Sequence, residues 1–121
     1  MKQRVKNVSY LTKAVVGLAL LEVAKPFEVL MLPAKAELLS LDLEVLEASD
    51  TGVKLDVGLD DTADFFINDA SVDTIGNTRS SKQTQILKTA QVNISVATKC
   101  TKGKVVVRAQ YFLPSEILAE F

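Results

Sequence analysis

The chain has 121 residues, 48% of them hydrophobic, which suffices for one packed domain and is too short for two ordinary ones. Its formal net charge of −1 argues against general affinity for nucleic acid, and the absence of histidine removes the commonest general base, proton shuttle and metal ligand together. A single cysteine, Cys100, permits neither an internal disulfide nor a cysteine-rich zinc site, and with 6% aromatic residues and no Trp the core must be built mostly from Leu, Val, Ile and Ala.

Residues 1–13 are polar and basic. Lys2, Arg4, Lys6 and Lys13 are the only charges before Glu22. This stretch reads as an extended N-terminal arm or a first edge strand, with a single domain over residues 14–121. Asn7-Val8-Ser9 and Asn93-Ile94-Ser95 match the glycosylation triplet, the second inside a predicted strand.

Ala14–Ala24 mixes signals: Leu and Ala favour helix, whereas Val15-Val16 and Gly17 oppose it. A buried strand is the reading consistent with the strand-like remainder of the chain. The apolar run Ala14–Leu21 is shorter than the ~20 residues a spanning helix needs. It imitates a secretory leader, but Glu22 and Lys25 fall where a small-residue cleavage site belongs. Phe27–Leu32, bracketed by Pro26 and Pro33, reads as a short outer strand.

From Ala36 to Ala48, Leu39, Leu41, Leu43 and Val45 alternate with Ser40, Asp42 and Glu44. Ser49-Asp50-Thr51-Gly52 is a turn. Val53, Leu55, Val57 and Leu59 then alternate with Lys54, Asp56 and Gly58, which predicts a hairpin with one apolar and one acidic face. Asp60–Asp64 reads as a loop, and Asn68–Ser81 as a long polar loop with a functional or interface role. Ile86 and Leu87 mark a further short strand. Val92, Ile94 and Val96 followed by Val105, Val107, Ala109 and Tyr111, around Thr101-Lys102-Gly103, predict a second antiparallel hairpin. The tail from Pro114 to Phe121 allows one helical turn or a docked apolar end. Seven or eight short strands imply an all-β sandwich, jelly roll or barrel.

The charge pattern is blocky. Asp42–Asp73 holds ten acids and one base; Arg79–Arg108 holds seven bases and no acid. Pairing across neighbouring strands is the favoured reading, with pairing between subunits as the alternative. The loop Asp60-Asp61-Thr62-Ala63-Asp64 is the best metal candidate, but it misses the spacing of a calcium loop and reads as solvated. Asp42, Glu44 and Asp56 are expected on one wet sheet face, where nothing would separate their pKa values for acid–base work. Ser80 and Ser81 beside Lys82 do not make a nucleophile with its base. No phosphate loop or nucleophile elbow is present.

One stretch carries a likeness. Lys54-Leu55-Asp56-Val57-Gly58-Leu59, the acidic loop Asp60–Asp64, the pair Phe65-Phe66, Gly76, and the final strand Gly103–Tyr111 resemble small β-sandwich virion proteins of tailed bacteriophages, of the capsid decoration or cement type. The resemblance spans roughly residues 36–111. It implies a jelly-roll-like sandwich and a homotrimer, made in the host cytoplasm and seated on the capsid surface, where it bridges major capsid subunits without any enzyme activity. No cofactor, small-molecule substrate, nucleic acid or membrane is expected. Partner contacts are expected at the basic arm (Lys2, Arg4, Lys6), at Tyr10, at Phe65 and Phe66, and at the apolar end Phe121. The competing reading is a receptor- or carbohydrate-binding fibre or tail module. The absence of Trp, with only Tyr10 and Tyr111 as tyrosines, counts against it.

Overall fold

The computed structural model describes residues 2–6, 9–113 and 116–120. The strands are β1 (Lys2–Lys6), β2 (Ser9–Gly17), β3 (Phe27–Leu32), β4 (Glu37–Glu47), β5 (Lys54–Leu59), β6 (Thr62–Ser71), β7 (Gly76–Arg79), β8 (Thr84–Gln85), β9 (Ala90–Val96), β10 (Lys104–Phe112) and β11 (Glu116–Glu120). A 3-10 turn, Leu18–Leu20, follows β2. One sheet runs β2-β10-β4-β7, with β8 also paired to β4, and the second runs β3-β9-β5-β6. Strand pairing within the sheets is antiparallel throughout. The expected sandwich is therefore the observed architecture.

Period-two alternation builds the core. Leu41, Leu43 and Val45 of β4 and Val105, Val107 and Ala109 of β10 point inward from one sheet; Leu55 and Val57 of β5 and Val92, Ile94 and Val96 of β9 point inward from the other. All are buried, and burying each Val, Leu or Ile side chain contributes about 1.5–3 kcal/mol.

Both predicted hairpins are overturned. β4 and β5 lie in different sheets, as do β9 and β10. The turns at 49–52 and 97–103 are corners that carry the chain across the core. Alternation is blind to this difference, because two strands with apolar faces can pair edge to edge or pack face to face. The true tight hairpin is β5–β6, closed at Leu59 and Thr62 through Asp60-Asp61, where a loop was expected. Asp60 sits there at φ 48°, a left-handed conformation that Asp tolerates better than most residues. Gly58 is buried opposite this turn, and a Cβ built on it would collide with the Thr62 carbonyl oxygen and lie 2.6 Å from the Ala63 carbonyl.

The two corners are stapled to each other. Thr101 donates its backbone N–H and its hydroxyl to the two oxygens of Asp50, both at 2.7 Å. The Ser49 hydroxyl donates to the Lys102 carbonyl at 2.9 Å. Gly103 adopts φ 115°, and a Cβ there would meet Ser49 Cβ at 2.9 Å. Gly is required on both counts.

Other boundaries shift. Alternation on β4 does not run unbroken, since its register with β10 slips at both ends. Leu39 and Leu46 are the residues skipped at these bulges and are exposed at 37% and 39%, while Leu38 is buried instead. β2 begins at Ser9 and ends at Gly17, so residues 9–13 belong to the sandwich and the arm boundary at 13 moves toward the terminus. The polar stretch Asn68–Ser81 is largely the end of β6 and all of β7; its residues are polar because these are outer strands facing water. The segment Glu116–Glu120 is a strand, not a helical turn: it pairs with β1 in register Lys2↔Glu120 to Lys6↔Glu116. This two-stranded ribbon follows on from the β2–β10 ladder.

Candidate interaction surface

The outer face of the first sheet carries an ordered array of charge. Lys13, Arg108, Asp42 and Arg79 occupy one register row across β2, β10, β4 and β7. Arg79 grips Asp42 with two guanidinium nitrogens, at 2.7 and 3.2 Å. Hydrogen bonding to Asp42 pushes the Arg79 guanidinium further toward its charged form. Arg108 reaches one step along β4 to Glu44 at 2.7 Å, and Lys104 lies 3.8 Å from Glu47. The acidic and basic blocks thus meet across neighbouring strands of one chain. Asp42, Asn77, Arg79 and Arg108 surround an open hollow of about 310 Å³. Asp56 is not beside Asp42 and Glu44: it lies on the other sheet and accepts the Asp69 backbone N–H at 2.7 Å.

Three other acids of the block, Asp50, Asp60 and Asp73, hold loops. Asp73 accepts the Gly52 N–H at 2.9 Å, and Asp60 accepts the Gln91 N–H at 2.9 Å. Bonds from backbone N–H groups lower the pKa of Asp73 and, with the Thr101 bonds, that of Asp50. Among the described residues no group of three or more Cys, Asp or Glu comes together as a metal site. The Ser80 hydroxyl accepts the Lys82 backbone N–H at 3.1 Å and so caps its own turn.

The aromatic candidates separate. Phe65 is half-buried and Phe66 is 5% exposed, meeting edge to face at 4.9 Å between centroids. Phe66 belongs to the hydrophobic core beside its neighbour Ile67, which is also buried, because the register slips of β6 against β5 interrupt its alternation; Phe65 packs on the rim of the same core and keeps an exposed edge. Phe65 borders an apolar groove of about 410 Å³ with Leu59, Ile86, Leu87 and Ala90. Lys82 Nζ lies 5.3 Å from the Phe65 ring centroid, a cation–π distance. Tyr10 is 43% exposed and stacks on Tyr111, its cross-strand partner, at 5.6 Å. Lys2, Arg4 and Lys6 occupy alternate positions of β1, opposite Glu120, Leu118 and Glu116. Phe121 lies outside the described residues.

Sequence reasoning missed Leu87, Lys82 and the apolar positions of β2. Leu87 is 80% exposed beside the groove, and Leu11 and Val15 are 67% and 54% exposed. The signal for β2 was present, since Leu11, Lys13 and Val15 alternate with Thr12, Ala14 and Val16; placing a domain boundary after Lys13 cut that pattern in two.

No protein-family model matches this chain, and no curated protein does. Solved structures do. A chain of the acid-stable capsid of Helicobacter pylori bacteriophage KHP30 matches at 30% identity and TM-score 0.81, with all of both chains covered. A chain of the cyanophage Pam1 capsid matches at 22% identity and TM-score 0.73, covering 88% of this chain and 85% of that one. A chain of the Ralstonia phage GP4 capsid matches at 15% identity and TM-score 0.70, covering 92% and 88%. The last two share the fold. The full-length match defines the class, a bacteriophage virion protein of β-sandwich fold. The chain belongs to the family of the KHP30 capsid chain, and its role is structural and capsid-associated.

Proposed function

We propose that this chain is a capsid decoration or cement protein that seats on the outer surface of a phage head as a homotrimer and bridges neighbouring major capsid subunits. The observation that carries this reading is the whole-chain likeness to a capsid chain, joined to a surface of ion-pair ladders, outer strands and shallow hollows. The order β2-β10-β4-β7 over β3-β9-β5-β6 supports reading the sandwich as a jelly roll. Contacts that bury surface only in the assembled shell stabilise that shell by linkage. The β1–β11 ribbon supports an exchange of chain ends around a three-fold axis, because an isolated two-stranded ribbon is marginal in water and gains stability by packing on a neighbour. Lys2, Arg4, Lys6, Tyr10, Phe65 and Phe121 are the proposed contact residues.

The test is reconstitution. Purified chain is added to shells assembled without it, and bound copies and the shell's thermal midpoint are measured. Saturable binding at a fixed ratio, with a raised midpoint, is the expected result. Absence of binding refutes the function, and a monomer by light scattering refutes the trimer.

A further inference from the structure

Sheet edges are hazards, because their unpaired N–H and C=O groups invite other strands. The outer strands of the two sheets are β2, β3, β6, β7 and β8, and four of these five are protected. β7 and β8 are four and two residues long. β3 is bulged at Val29 and bracketed by Pro26 and Pro33. β6 slips register twice against β5 and carries the exposed acids Asp64 and Asp69. β2 has none of these devices. It runs nine residues in unbroken register with β10, and no described strand pairs with its other side. Its one charge is Lys13, and its outward face shows Leu11 and Val15 to solvent.

We infer that the free edge of β2 is the seat of an extended segment from another polypeptide, a capsid-subunit strand with an acidic residue opposite Lys13 and apolar residues opposite Leu11 and Val15. This rests on the capsid-bridging reading above and names the partner's chemistry. Lys13 has no ion-pair partner among the described residues, whereas Arg108, its register neighbour on β10, is paired with Glu44, so Lys13 is an uncompensated positive charge on the edge between two apolar positions. A second copy of β2 is the wrong occupant: two-fold antiparallel pairing that sets Leu11 against Val15 also sets Lys13 against Lys13, and directly opposed like charges destabilise a pair. The other strands of this chain fail too, since none carries an acid flanked at two-residue spacing on both sides by apolar residues. A guest strand gains affinity from main-chain bonds and specificity from alternate side chains.

The test is hydrogen exchange of the full chain, free and bound to shells assembled without it. The free protein exposes every second β2 amide. On binding, these amides are expected to slow by about tenfold or more, while those of β7 do not change. Lys13→Glu is expected to weaken shell binding by about tenfold, and Leu11→Lys with Val15→Lys to abolish both binding and protection while thermal unfolding of the free chain is unchanged. Binding with β2 amides still fast overturns the inference and leaves the bridging function standing. Protection already complete in the free oligomer means that a second copy covers the edge, which also overturns it. No binding at all refutes the bridging function itself.

Discussion

Gly58→Ala isolates one close approach in the fold. The added methyl would overlap the Thr62 carbonyl oxygen and sit 2.6 Å from the Ala63 carbonyl carbon and oxygen. All three atoms are backbone, so no side chain can rotate away; the β5–β6 hairpin itself has to shift. Overpacking of this kind costs about 1–3 kcal/mol, and the upper end applies where the obstacle is main chain. For a domain of this size, with an unfolding entropy of about 2.1 cal/mol/K per residue, 3 kcal/mol corresponds to roughly 12 °C in thermal midpoint. Gly17→Ala and Gly76→Ala are the controls: nothing lies within 4 Å of a Cβ at either site, and neither has positive φ. Each is expected to be neutral or to stabilise by up to about 1 kcal/mol through the unfolded chain. Urea unfolding at fixed protein concentration reads all three. If Gly58→Ala falls within 0.5 kcal/mol of the controls (about the spread of ordinary surface substitutions), the steric argument is wrong.

Ile94→Ala removes a fully buried side chain between the sheets and is expected to destabilise by about 2–5 kcal/mol in the same assay. Asp50 and Asp73 titrate below the ordinary 3.8 in the folded chain, so their contribution is complete above that value and is lost as pH falls through the lowered one. Thermal midpoints should therefore drop below about pH 4, and Asp50→Asn should flatten that drop while lowering the plateau; an unchanged pH profile would reject the corner staple. Ala24 holds φ 60° with its N–H bonded to the Val96 carbonyl, so Ala24→Gly, which relieves left-handed strain of about 1–2 kcal/mol, is expected to be neutral or stabilising by equilibrium unfolding.

Strand identity was legible because inward positions demand apolar residues whichever sheet a strand joins; Leu41 to Val45 and Val105 to Ala109 announce themselves. Sheet membership was not legible. Gly103 marks a turn in either arrangement, and the contacts that decide for a corner are distant: Asp50 receiving Thr101, and Ser49 reaching the Lys102 carbonyl, 51 and 53 residues apart in sequence. The bulges at Leu39 and Leu46 were hidden for a similar reason, since only the register against β10 shows which leucine is skipped. Charge pairing was half-legible. The acidic and basic blocks predict cross-strand partners, but Arg108 sits opposite Asp42 in register and bonds Glu44, while Asp42 is taken by Arg79. The surface was least legible of all. Phe65 and Phe66 look equivalent in sequence and differ in depth, Phe66 sitting within the core and Phe65 on its rim.

Cys100 is sealed at 1% exposure beneath the corner that joins β9 to β10. Its thiol is therefore silent toward aqueous alkylating reagents until that corner opens, and the rate of modification becomes a clock for the opening. Because the chain has no other sulfhydryl, modification found on this chain reports that corner alone. A fluorophore placed on an added surface cysteine would likewise report from one known position without removal of the native residue.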